Sequence, residues 1–281
     1  MSAAEYVRTV HSASLIFGST EPPQDDAAEA YHEASKLYRS TAARQTRSRL
    51  LENHLGLQVS SLRSVKRSSH LPTEALPEPA LPHVSFADTV ESRRSERVFG
   101  EEPIAAVELS SLLHAAYGVT HELDLGMPGA GPRLRTVPSG GALFPLEVYV
   151  VPWRVDALPI ALYHFDPLRR LLERIRGGEL ESDVRAAMFY DDLAVGCGVL
   201  FLISGVFWRT RFKYGLRGYR FALLECGHLA QNILLAATAF GLGSVPIGGF
   251  YDRRVDELLG LDGVNESTLY AVAVGALGNA D

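Results

Sequence analysis

The sequence predicts an α+β fold, with one central mixed sheet flanked by helices and built around a long buried helix. Three observations carry this. Segments of helical period and of strand-like alternation are interspersed without a strict repeat, unlike a regular β-α-β array. The stretch from Gly218 to Phe240 is helical in character and apolar nearly all round, as in a helix enclosed by its neighbours. Finally, 47% of the 281 residues are apolar, enough for a substantial core.

Taken in order, Asp25 to Tyr38 reads as a helix with Ala28, Tyr31, Ser35 and Tyr38 on one face, and Arg44 to Leu55 as a second. Leu71 to Pro82 holds four prolines in twelve residues, a composition that favours an extended linker, so a boundary is placed there. The expected organisation is a helical extension over 1–83, with its proline-rich linker at 71–83, and a main domain over 84–281. Within that domain Val107 to Tyr117 and Glu179 to Tyr190 read as helices. Leu146 to Val151, Ala161 to Phe165 and Val199 to Val206 read as strands. A last helix from Asp252 to Leu259 precedes a closing strand from Thr268 to Val274.

A net charge of -6 and a pI near 5.9, with no long basic run, argue against a general nucleic-acid binder. Cys197 and Cys226, the two cysteines, sit in apolar surroundings without metal-ligand spacing, which suits a reducing compartment. No basic segment followed by an apolar one opens the chain, and the longest strongly apolar run, Val199 to Phe207, is too short to span a bilayer. The expectation is a cytoplasmic protein with neither nucleic acid nor membrane as partner.

Lys213 is the last of only three lysines, in a chain that otherwise uses arginine for its positive charge. Arginine keeps its proton near neutral pH, whereas a partly desolvated lysine can act as a base, so Lys213 beside Tyr214 is a candidate acid/base pair. Ser92-Arg93-Arg94-Ser95-Glu96-Arg97 is a cationic cluster suited to phosphate, or simply a solvated basic turn. Pro138-Ser139-Gly140-Gly141 has turn chemistry ahead of a strand; its glycines would admit a flat ligand or serve an ordinary tight turn. Gly241 to Gly249 lacks the G-x-G-x-x-G spacing and leads from helix to strand, so a dinucleotide fingerprint is rejected. Gly248 or Gly249 could still offer an open backbone N–H. Glu225 and His228 stand three apart, as in a helix-borne metal site, but no second Glu-x-x-His accompanies them. A buried polar cluster of Glu225, His228 and Asn232, bonded internally, explains them, and no metal is expected.

Taken together and in this order, these motifs resemble the FMN-dependent nitroreductase superfamily, and within it the SagB-type, or azoline-oxidase, subgroup. The resemblance covers Ser85 to Leu277 and rests on Arg93 to Arg97, Pro138 to Pro145, Lys213-Tyr214 with Arg217 to Arg220, Glu225 to His228 with Gln231-Asn232, and Gly241 to Asp252. It implies a domain-intertwined homodimer with FMN as cofactor. Arg93 and Ser95 would serve the phosphate and ribityl end and Arg97 the N1/O2 edge of the flavin, with Arg94 also among the cofactor-binding residues. Pro138, Ser139, Gly140 and Gly141 would cover the cofactor from the second subunit. Pro246, Ile247, Gly248 and Gly249 would bring a backbone N–H to N5.

Ala142 stands where ordinary nitroreductases tend to have asparagine, which favours the SagB-type branch. The sequence ends at Asp281 without a basic C-terminal segment, so Arg209, Arg211 or Arg217 is expected to assist Arg93 at the phosphate. In the N-terminal extension, Tyr31 to Lys36 is the clearest point of likeness.

The activity implied is oxidation of thiazoline or oxazoline rings on a peptide to thiazoles or oxazoles, with Lys213 and Tyr214 catalytic. The peptide would come from a partner cyclodehydratase or synthetase. Two alternatives stand beside it: an NAD(P)H-dependent nitro- or quinone-type FMN reductase, and a catalytically silent scaffold of a biosynthetic complex.

Overall fold

The computed structural model describes residues 27–38, 66, 68, 70–122 and 133–278. The expected helix at Arg44 to Leu55 lies outside them. Two compact units are formed, Met1–Gln45 and Thr46–Asp281. The first contains helix α1 (Ala27–Ala34).

In the second unit seven strands form one sheet in the order β1-β6-β5-β4-β7-β9-β8: β1 (Thr73–Ala75), β4 (Leu146–Pro152), β5 (Ala161–Asp166), β6 (Leu171–Gly177), β7 (Val199–Val206), β8 (Gly243–Ile247) and β9 (Glu266–Gly275). Every neighbouring pair is antiparallel. The mixed character expected of the sheet is confined to one isolated parallel bridge, Ile104 with Val155. Two short strands, β2 (Val119–Glu122) and β3 (Arg133–Arg135), form a separate ribbon.

Strand β4 is buried along its whole length, so its side chains feed two cores. Leu146, Val148 and Val150 face one core with α3 (Ala106–Tyr117) and α7 (Leu216–Ala239). Tyr149 and Val151 face the other, beneath α4 (Glu181–Ala187), α5 (Asp191–Gly196) and α8 (Asp252–Leu259). The remaining helices are α2 (Phe86–Ser92) and α6 (Trp208–Tyr214).

The proline-rich stretch is extended, as its composition dictates, yet it is paired into the main unit. Thr73 to Ala75 pair with β6 as the sheet's edge, where a neighbouring proline costs no ladder bond. Ser110 Oγ donates to Pro77 O at 2.6 Å, and Ala80 N–H donates to Ser111 Oγ at 2.9 Å.

The long helix was expected to be enclosed all round. In this chain it buries one face (Ala222, Glu225, Cys226, Leu229, Ala230, Ile233) and leaves the other open, with Leu223 and Leu224 43% and 56% exposed. An apolar pattern alone does not distinguish a core face from a face that another copy could cover.

Candidate functional site

The predicted residues fall into two separate groups: Arg97, Pro246, Ile247 and Gly248 line one cavity, Pro138, Ser139 and Gly140 another, and Arg93, Arg94, Ser95, Gly249, Gly141, Lys213 and Tyr214 line neither. The first forms where the chain leaves α2. Ser85 Oγ accepts from Asp88 N–H at the start of that helix, and Arg93 N–H closes its last turn on Thr89 O at 3.2 Å. The following residues run beside β8, with Glu96 N–H donating to Ser244 O at 3.0 Å. That pairing sets Arg97 on a cavity of about 840 Å³ with Pro246, Ile247, Gly248, Phe189 and Tyr190. Gly248 is exposed, and a side chain there would meet nothing nearer than the Tyr270 ring at 3.9 Å. Behind it, a Cβ on Gly249 would stand 3.3 Å from Tyr190.

Arg94 folds back onto Glu91 O (2.7 Å) and Arg93 O (2.9 Å). Among the described residues no carboxylate pairs with Arg93 or Arg97, so two guanidinium groups remain available to an anion. Arg209 is not available in that way. It is mostly, though not fully, buried and ion-paired with Glu147 at 2.5 Å, which removes it from the phosphate set expected from the sequence. The Arg211 guanidinium lies 4.7 Å from the Trp208 ring.

The second group forms around the 138–145 loop. Its backbone is held in the left-handed region at Gly141 (φ 68°), Ala142 (φ 54°) and Phe144 (φ 44°). Two such non-glycine residues in one turn store strain, which persists only where surrounding contacts enforce it. Ser139 provides two of these contacts: its hydroxyl accepts from Phe144 N–H at 2.9 Å, and its carbonyl from Ala142 N–H at 3.0 Å. A Cβ on Gly141 would sit 2.6 Å from the Tyr214 hydroxyl and 2.9 Å from Lys213 Nζ. The candidate acid/base pair therefore reaches the loop's bare backbone, through a gap only glycine leaves open. Tyr214 packs edge-on against Phe221 with ring centroids 5.0 Å apart, and Lys213 Nζ lies 5.3 Å from the Tyr214 ring.

Helix α6 carries this pair and ends at Gly215, whose φ of 58° and ψ of -135° turn the chain into α7. The two helices meet at Gly218, where a Cβ would come within 2.7 Å of the Thr210 backbone. Thr210 Oγ1 donates to Gly218 O at 2.9 Å across that contact.

Beside the loop lies a cavity of about 270 Å³ lined by Pro138, Ser139, Gly140, Phe221, Glu225 and His228. The internally bonded cluster expected of Glu225, His228 and Asn232 does not form. Asn232 donates to Ala115 O at 2.9 Å, His228 is exposed, and Glu225 Oε1 accepts from Tyr117 OH at 2.6 Å. Glu225 Oε2 has no hydrogen-bond partner among the described residues. Burial raises this carboxyl to about 7; the neighbouring Ser139 hydroxyl, the Tyr117 hydrogen bond and the positive charges of Arg135 and Arg209 oppose the rise. A carboxyl raised in the fold favours folding at low pH, and that contribution fades as pH climbs from the unfolded value of 4.5 through 7. Glu225→Gln, which keeps an acceptor for Tyr117, is expected to gain about 3 kcal/mol of stability at pH 8 relative to pH 5. Denaturant melts of both proteins at the two pH values measure this; a gain independent of pH contradicts it.

A buried ionic chain in the sheet escaped the sequence reading. His164 Nε2 meets Glu147 Oε2 at 2.7 Å and its Nδ1 meets Glu173 Oε2 at 3.0 Å. Burial would lower the His164 pKa, but the two carboxylates outweigh it and raise it. Burial likewise pushes Glu147 up, and Arg209 and His164 overcome that to hold it at about 2. The only sequence signal was a polar residue on the same face of β4, β5 and β6, with His164 opposite Glu173 and diagonal to Glu147, legible once the strand register is known.

Comparison with known proteins agrees with this geometry. The model of the nitroreductase family matches residues 90–276. The nitroreductase-type protein MJ1384 of Methanocaldococcus jannaschii is 35% identical over 181 residues, 64% of this chain and 87% of its own. The microcin B17-processing protein McbC of Escherichia coli is 33% identical over 143 residues, 48% of this chain and 52% of its own. In solved structures, a nitroreductase-type protein of Ralstonia eutropha is similar with a TM-score of 0.61 and 27% identity, covering 76% of this chain and 93% of its own. A chain of the E. coli McbBCD microcin synthetase complex, solved with truncated pro-MccB17 bound, shares the fold with a TM-score of 0.56 and 20% identity, covering 99% and 98%.

Proposed function

The chain belongs to the nitroreductase family, and from that premise we propose that it is an FMN-dependent dehydrogenase of thiazoline or oxazoline rings in a peptide. One observation carries the reading: Lys213 and Tyr214 converge on the backbone of Gly141 in a loop strained at neighbouring residues. A generic reductase would not require a base at that place. McbC, a microcin-processing protein, and the McbBCD synthetase complex support a peptide substrate and a synthetase partner.

The residues present fit an anionic, flat cofactor. Arg93 and Arg97 would hold the phosphate and the flavin edge, and exposed Gly248 would offer its N–H. FMN, when bound, supplies the two-electron acceptor for hydride, with dioxygen as terminal oxidant. Lys213 takes the carbon-bound proton as the ring becomes aromatic, and the Tyr214 hydroxyl orients lysine or substrate. The 138–141 loop meets the Lys213–Tyr214 pair at Gly141, and its Pro138, Ser139 and Gly140 line a cavity separate from that of Arg97 and Gly248. We therefore place them over the cofactor of a second copy, in a homodimer that covers the open face of α7.

The test is an azoline-containing peptide incubated with flavin-loaded protein in air. Loss of two hydrogens by mass spectrometry, without NAD(P)H, is expected. An unchanged peptide together with rapid flavin reduction by NAD(P)H would assign the protein to the reductases instead.

A further inference from the structure

Helix α6 is anchored at one residue that also holds the strained loop. Arg209 Nη2 pairs with Glu147 Oε1 at 2.5 Å, and its other arm, Nη1, donates to Phe144 O at 3.3 Å. Phe144 is one of the residues with positive φ, so the guanidinium grips the loop where the backbone is least content. Lys213 stands four residues further along α6, one turn away on the same side as Arg209. The far end of the anchor is rigid. Glu147 sits in the central strand β4 and also receives His164 Nε2 at 2.7 Å and Lys66 N–H at 3.3 Å. His164 continues to Glu173, which Arg169 holds at 2.5 Å. Lys66 Nζ is bonded to Tyr149 OH (2.7 Å) and Glu266 (2.9 Å).

We infer that Arg209 is a positioning residue for the Lys213–Tyr214 pair, bridging the sheet, helix α6 and the 138–145 loop so that the pair meets the loop backbone at Gly141. The inference rests on the catalytic reading given above. A planar fork with two donating nitrogens can hold a carboxylate and a carbonyl at once; a lysine ammonium carries the charge on a single nitrogen. Deleting the side chain would leave Glu147 buried and short of its cation, and the protein could fail to fold. Arg209→Lys keeps the charge and removes the bridge.

In the azoline assay Arg209→Lys is expected to lower kcat about 10- to 100-fold, the cost of a small misplacement of reacting groups, with KM and flavin absorbance unchanged. In a Lys213→Ala background the same substitution should bring no further loss, because it acts through the lysine. Glu147→Gln, which keeps the shape of the other partner, should move kcat in the same direction. Native kcat in Arg209→Lys beside an inactive Lys213→Ala protein, or an equal additional loss in the Lys213→Ala background, overturns this inference alone. Full activity in Lys213→Ala overturns the catalytic reading and the inference with it.

Discussion

Replacing Lys213 by alanine is expected to lower azoline oxidation by a factor of about 10²–10⁴ while leaving fold and flavin content intact. The lost interaction exists only while a carbon-bound proton is being taken, so kcat falls and the flavin spectrum does not change. The structure gives the pair a defined setting: both residues are half-buried, and both reach the same glycine through the gap left by its missing side chain. Tyr214→Phe removes the hydroxyl and keeps the edge-on packing with Phe221. It should cost less than the lysine change if the hydroxyl only orients, and about as much if it carries the proton itself. Turnover at the parental rate by Lys213→Ala, with flavin bound, would refute the assignment.

Arg93→Ala is expected to weaken FMN binding about ten- to a hundredfold, the effect of losing one charge-assisted phosphate contact of roughly 1.5–3 kcal/mol. The position matters because Arg209, which the sequence offered as a substitute, is committed to Glu147. With that cation occupied, the anion falls to guanidinium groups that no described carboxylate neutralises. Absorbance of the purified protein against its concentration measures the occupancy, and unchanged occupancy contradicts the assignment.

Much of this arrangement is legible in the sequence where local pattern and burial agree. Helix α8 and strand β7 match their expected limits, and α3, β4 and β5 match to within a residue, because the two helices carry apolar positions at helical spacing and the three strands are largely apolar runs of strand length. Strand β6 escaped because Leu171 to Gly177 contains Glu173, Arg174 and Arg176, and the most deeply buried of these, Glu173, is paid for by His164 and Arg169 rather than by an apolar neighbour. Such burial depends on partners from other strands, which no single segment displays. Strand β1 hid among prolines for the complementary reason: an edge strand and a linker share an extended backbone.

The same distinction runs through the candidate site. The chemistry of Arg93, Arg97, Gly141, Gly248, Lys213 and Tyr214 could be read from residue type, and their grouping could not. Arg209 looked like any other arginine until Glu147 and Phe144 were found on either side of it. Glu225 carried a motif, but its titration depends on Tyr117, Arg135 and the 138–145 loop, which arrive from distant parts of the chain.

The central claim, that Lys213 of one copy works over the cofactor held by Arg93 of another, is tested most directly by mixing two variants. Lys213→Ala protein, which lacks the base, and Arg93→Ala protein, which is short of flavin, are unfolded together, refolded at an FMN concentration that leaves Arg93→Ala homodimers largely unoccupied, and assayed with an azoline peptide. A mixed dimer then contains one site with both residues intact and one site lacking both. Recovery of about a quarter of the parental activity is the predicted result, from random pairing with one working site per mixed dimer. Mixed dimers that form and remain as inactive as the two variants alone would contradict the account.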